Sequence, residues 1–87
     1  MCTLEELRKQ IEQTDAYIIE KLAQRQELAK QIGEIKSKTG KKIVDHQREK
    51  KLFLYYEELS NQYHLKQEFV TRLFKIIIAN SKKVQKQ

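Results

Sequence analysis

Arg25, Lys36, Arg48, Glu49, Ser81 and Gln85 sit on three amphipathic stripes that the rest of the chain fills with Leu, Ile, Val and Phe. A polar side chain taken out of water costs free energy unless it gains a partner. Four of these six supply cationic or amide donors and one supplies a hydroxyl, so a buried ligand bearing carboxylates would satisfy them together. The chemistry open to such a set is to hold negative charge and to stabilise it where it develops.

Other chemistries lack their parts. His46 and His64 are far apart and poorly accompanied for a metal motif. The sequence has no glycine-rich phosphate loop and no histidine spaced to activate a serine or cysteine. Neither a metal nor a cofactor is expected, and nucleophilic catalysis has no apparatus.

Helical spacing decides which of these side chains can meet. Lys36 follows Arg25 by eleven residues, about three turns with a lateral offset of only ~20°, so both cations look the same way. Arg8 precedes Arg25 by seventeen residues, about 25 Å along the axis and roughly 100° around it. One small ligand cannot touch both from a single helix, so any role for Arg8 is in the site of another subunit. Asp45, Arg48 and Glu49 share one helical turn, and Ser81 and Gln85 share another.

Each position also admits a plain structural reading. Arg25 in a heptad seam can set register against a glutamate, and Lys36 can complement a helix C-terminus. Asp45 suits an N-cap, and Arg48 with Glu49 suits a solvated pair. Ser81 can bond back to its own helix, Gln85 can lie in a frayed end, and Arg8 can be a surface charge.

The elements that must position these residues follow from periodicity. Thr3 with Glu6 forms a capping-box pattern, and Leu4, Leu7, Ile11, Thr14, Ile18, Lys21, Arg25, Leu28, Ile32 and Ile35 continue with heptad spacing. A first helix is predicted from about residue 3 to 38, stopping near Thr39-Gly40. It would be roughly 50 Å long, against about 30 Å for the width of a compact domain of this size. Its seam therefore needs cover, for which a second copy of the chain is the simplest candidate.

A second helix is predicted over about 46–63, capped by Asp45, and a third over about 66–85. Phe69, Val70, Leu73, Phe74, Ile77, Ser81, Val84 and Gln85 align on the third. Tyr55, Tyr56 and Tyr63 read as core or core edge. With no proline and two glycines, the whole chain reads as one all-α domain, 1–87.

Composition sets the remaining bounds. At 87 residues and 39% hydrophobic, one copy has a thin core, which again favours association. The formal charge of +6 favours anionic partners, but the lysines are spread around the helices, and no groove-reading nucleic-acid module is indicated. Cys2 is the single cysteine, which fits a reducing compartment. The N-terminal residues are unlike a signal peptide, and the longest apolar run, Leu73 to Ala79, is interrupted by Lys75 and too short to span a bilayer. A cytoplasmic protein is expected.

The ordered set of motifs resembles the all-helical, class II chorismate mutases. It runs from Leu4-x-x-Leu7-Arg8-x-x-Ile11-x-x-x-Asp15 through Arg25-x-x-Leu28-Ala29-x-x-Ile32-Gly33-x-x-Lys36. It continues through Asp45-x-x-Arg48-Glu49 to Thr71-Arg72-Leu73-Phe74-x-x-Ile77-Ile78-x-x-Ser81-x-x-x-Gln85. The resemblance implies an intertwined homodimer with two equivalent sites, acting on chorismate in phenylalanine and tyrosine biosynthesis. It implies that Arg25, Arg48 and Arg8 from the other subunit hold the substrate's carboxylates, with a hydrogen bond from Ser81. Lys36 and Gln85 would approach the ether oxygen, and Glu49 with the Asp45 backbone would orient the ring hydroxyl. The implied reaction, chorismate to prephenate, is an intramolecular rearrangement that requires no nucleophile, metal or external base. A related activity on a similar pocket is isochorismate pyruvate-lyase, and a basic helical interaction module without catalysis is the alternative from another class.

Overall fold

The computed structural model describes residues 3–86; Cys2 lies outside them. Three helices account for nearly all of this span: α1 (Leu4–Thr39), α2 (His46–Gln62) and α3 (Gln67–Gln85). The expected all-α class is borne out.

Local chemistry explains where the helices begin and end. Thr3 and Glu6 make the full capping box, side chain to backbone in both directions, at 3.1 and 3.2 Å. Gly40 ends α1 at φ 71°, the left-handed conformation that glycine adopts without a Cβ clash, and its N–H reaches the Lys36 carbonyl. Asp45 caps α2 by accepting from the Arg48 N–H at 3.1 Å. The turn into α3 passes through His64 at φ 57°.

α3 is the central element, packing on α1 along one side and on α2 along the other. Between α2 and α3 lies the core: buried Tyr56, Val70 and Ile78, flanked by Leu52, Phe53 and Phe74. Tyr56 stacks on Phe74 with ring centroids 4.1 Å apart and meets Phe53 edge-on at 5.6 Å. The other two tyrosines depart from expectation. Tyr55 is 53% and Tyr63 65% exposed: Tyr55 lies off the face that α2 turns to α3, and Tyr63 falls just past the last turn of α2, as its C-cap.

Along α1 only Ala29 and Gly33 are buried. Leu4, Leu7, Ile11, Ile18, Leu28, Ile32 and Ile35 are 46 to 63% exposed, so the heptad seam has no cover within one chain. The chain measures 57 × 25 × 15 Å with a radius of gyration of 16.3 Å, whereas a compact chain of this length has roughly 12 Å. α1 projects well beyond the body formed by α2 and α3.

Candidate active site

The three helices enclose a cleft of about 480 Å³, within the size range of small-ligand sites. Its lining includes Arg25 and Lys36 from α1, Asp45, Arg48 and Glu49 from the start of α2, and Ser81 and Gln85 from the end of α3. Leu28, Ile32, Leu52, Tyr56 and Ile78 supply apolar walls. Every candidate residue except Arg8 therefore meets in one place. Arg8 is exposed on the far stretch of α1, about 25 Å from Arg25 by helical rise.

Close contact between α1 and α3 sets the geometry of this end of the molecule. A Cβ on Gly33 would fall 2.7 Å from both the Cα and the carbonyl oxygen of Gln85. Only a residue without a side chain allows the backbones to approach this closely. The same approach encloses Gln85: its Oε1 is buried and has no hydrogen-bond partner among the described residues. That oxygen can only accept a hydrogen bond, so any bond that Gln85 gives to a ligand comes from its Nε2.

The cations are positioned by specific contacts. Arg25 donates to Ser81 Oγ, joining α1 to α3, and Ser81 in turn donates to the Ile77 carbonyl at 3.0 Å. The plain reading of Ser81 thus holds, since it bonds back to its own helix, and the same hydroxyl also anchors the arginine. With five N–H groups, the Arg25 guanidinium retains donors beyond the one given to Ser81. Lys36 donates to the Ile43 carbonyl at 2.9 Å, which ties the 40–45 connection over the end of α1. Its ammonium has two further protons to offer.

Arg48 and Glu49 are not paired with each other. Glu49 instead meets Lys82 of α3, Nζ to Oε1, at 2.6 Å, and lies 3.7 Å from His46. Arg48 is exposed at the cleft mouth and takes part in no ion pair among the described residues. Lys82 also lines the cleft, and sequence reasoning placed it on the solvated surface. A signal was present: Lys82 follows Ile78 by four residues and precedes Gln85 by three, which puts it on their face. A second hollow of about 470 Å³ adjoins the first, sharing Lys36, Ile43 and Gln85. Its remaining lining is mostly exposed Lys38, Lys41 and Lys86 with Ser37, so it lacks the apolar walls that would hold a ring.

The fold and the cleft define a class: an all-helical protein whose three helices converge on a cationic, apolar-walled pocket suited to a small dicarboxylate. A model of the family described as chorismate mutase type II matches residues 7–86, and the chain belongs to that family. It is 34% identical over 84 residues to a chorismate mutase of Methanocaldococcus jannaschii, covering 97% of this chain and 85% of that one. It is 36% identical over 80 residues to a bifunctional chorismate mutase/prephenate dehydratase of Buchnera aphidicola subsp. Acyrthosiphon pisum, covering 92% of this chain and 21% of that protein. The corresponding bifunctional protein of Escherichia coli K12 is 35% identical over 75 residues, and the match spans 19% of its length. The chain thus spans nearly all of the first relative and about a fifth of the two bifunctional ones. No helix among the described residues is long and apolar enough to cross a membrane.

Proposed function

We propose that this chain is an isomerase converting chorismate to prephenate, the shared precursor step of phenylalanine and tyrosine synthesis. The observation that carries this reading is the convergence of Arg25, Lys36, Arg48, Ser81 and Gln85 from three helices on one apolar-walled cleft. In the rearrangement an ether C–O bond breaks as a C–C bond forms within one molecule, and no proton need be transferred. Catalysis then requires two physical acts.

The first is orientation. Chorismate is a flexible dianion that must be held in the compact conformer bringing the reacting carbons together. Arg25, fixed by Ser81, and Arg48, left unpaired at the mouth, take the carboxylates. Turning the Ser81 hydroxyl from Ile77 to a carboxylate exchanges one hydrogen bond for another. Glu49 and the Asp45 backbone orient the ring hydroxyl.

The second act is electrostatic. Negative charge grows on the ether oxygen, and Lys36 and Gln85 meet it from fixed positions. A single well-placed donor of this kind is worth about 3 kcal/mol of transition-state stabilisation. Lys36 carries the larger share, because a full charge in a poorly screened pocket outweighs an amide dipole.

The working unit of this reading is a homodimer in which the long α1 helices cross. Supporting it are the uncovered Leu and Ile seam and the extended 57 Å shape. A crossing α1 would cover that seam and bring Arg8 of the partner subunit to the open side of the cleft. Loss of chorismate absorbance with appearance of prephenate tests the reading. Folded protein that leaves chorismate unchanged, or that yields salicylate from isochorismate instead, overturns it.

A further inference from the structure

Glu49 is a carboxylate in a cleft that must admit a dianion. Left unneutralised it would repel both carboxylates of the ligand; neutralised by its chain neighbour Arg48, it would remove a cation that the ligand needs. The structure shows neither arrangement. Lys82 reaches across from α3 and places Nζ 2.6 Å from Glu49 Oε1, with the two side chains 31% and 22% exposed. Neither Arg25 nor Arg48 takes part in an ion pair among the described residues.

We propose that Lys82 is a positioning residue for the reaction: by taking up Glu49 Oε1 it fixes the carboxylate so that Oε2, which among the described residues has only His46 Nδ1 near it at 3.7 Å, accepts from a substrate hydroxyl, and it keeps Arg48 free for a carboxylate. The charge inventory is consistent with this role: one chain lines the cleft with the cations Arg25, Lys36, Arg48 and Lys82 and the carboxylates of Asp45 and Glu49, a net positive lining in which Glu49 is held by a cation other than the arginines. Without Lys82, Glu49 keeps, among the described residues, only the 3.7 Å contact with His46, and its uncompensated charge weakens the hold of the cleft's remaining cations on an anionic ligand. Lys82 thus acts through Glu49 rather than by touching the substrate. This role rests on the chorismate mutase reading of the same cleft.

The test is a double-mutant cycle on the purified full chain, comparing wild type, Lys82→Met, Lys82→Arg, Glu49→Gln and the Lys82→Met/Glu49→Gln pair. Lys82→Met is expected to lower kcat/KM about tenfold or more, mainly through KM, while the melting temperature moves by only a few degrees. Lys82→Arg, which keeps the charge, should stay within about threefold of wild type. In the Glu49→Gln background the Lys82→Met change should cost less than about threefold, because the partner through which it acts is gone. Two results overturn the inference while leaving the chorismate mutase reading intact. One is a Lys82→Met enzyme within about twofold of wild type; the other is an equal loss in both backgrounds. Absence of turnover by the wild-type protein overturns the functional reading, and this inference with it.

Discussion

Replacing Gly33 with alanine sets two effects of opposite sign against each other, and the structure decides which wins. In an exposed helix interior the change would stabilise the protein by roughly 0.5–1 kcal/mol, since alanine is the better helix former. At this position the new Cβ would lie 2.7 Å from Gln85 Cα and 2.7 Å from its carbonyl oxygen. Ordinary contact between carbon atoms begins near ~3.5 Å, so α3 must retreat by roughly 0.8 Å at Gln85. Main-chain atoms cannot rotate aside as a side-chain tip can. Overpacking of this kind typically costs about 1–3 kcal/mol, which outweighs the propensity gain and leaves a net loss of about 1 kcal/mol. The larger effect is expected on catalysis, because the retreat carries Gln85 away from the position proposed for the ether oxygen. A misplacement near 1 Å can cost about a hundredfold in rate, so kcat should fall by roughly ten- to a hundredfold while KM changes little. Steady-state kinetics on chorismate, with thermal melts on the same preparations, provide both readouts. A Gly33→Ala protein that melts higher than wild type and retains its kcat would refute the close-approach argument.

Two further substitutions separate chemistry from stability. Lys36→Ala should lower kcat by about 10²–10³ with a small change in melting temperature; an unchanged kcat would remove Lys36 from the charge-stabilising role. Asp45→Ala deletes the acceptor for the Arg48 N–H and should cost about 1 kcal/mol, lowering the melting temperature by roughly 4–8 °C. Its kcat/KM should stay within about fivefold of wild type, because the proposed role of Asp45 toward the ligand uses its backbone and not its carboxylate. A large activity loss with an unaltered melt would instead place the carboxylate on the substrate.

The helices were legible in the sequence because their signals are local. Thr3 with Glu6, Gly40 and Asp45 each act within a few residues of themselves, and the apolar period of α3 repeats over its whole length. The residues of the cleft were legible for a related reason: a charge or amide on an apolar stripe stands out wherever the stripe is buried. Lys82 was not, since one lysine among many on a basic chain looks solvated until its carboxylate partner arrives from another helix. The same limit applied to Gly33. In one dimension it reads only as a weak point in a helix, whereas its function is a backbone contact with Gln85, more than fifty residues away. Tyr55 and Tyr63 are exposed although aromatic type suggests burial, Tyr55 because of its helical face and Tyr63 because α2 ends just before it. The heptad stripe of α1 signalled that cover was needed, and the fold shows that a single chain does not supply it.

The central claim is that each site takes Arg25 from one chain and Arg8 from another. Mixing Arg8→Ala with Arg25→Ala subunits tests it most directly. Each variant alone has both sites damaged, but a mixed dimer has one site with both arginines and one with neither. Random exchange of equal amounts makes about half of the dimers mixed, so chorismate turnover should recover to about a quarter of the wild-type rate per chain. No recovery above the separate variants after verified subunit exchange, or full activity of Arg8→Ala alone, would contradict the shared site.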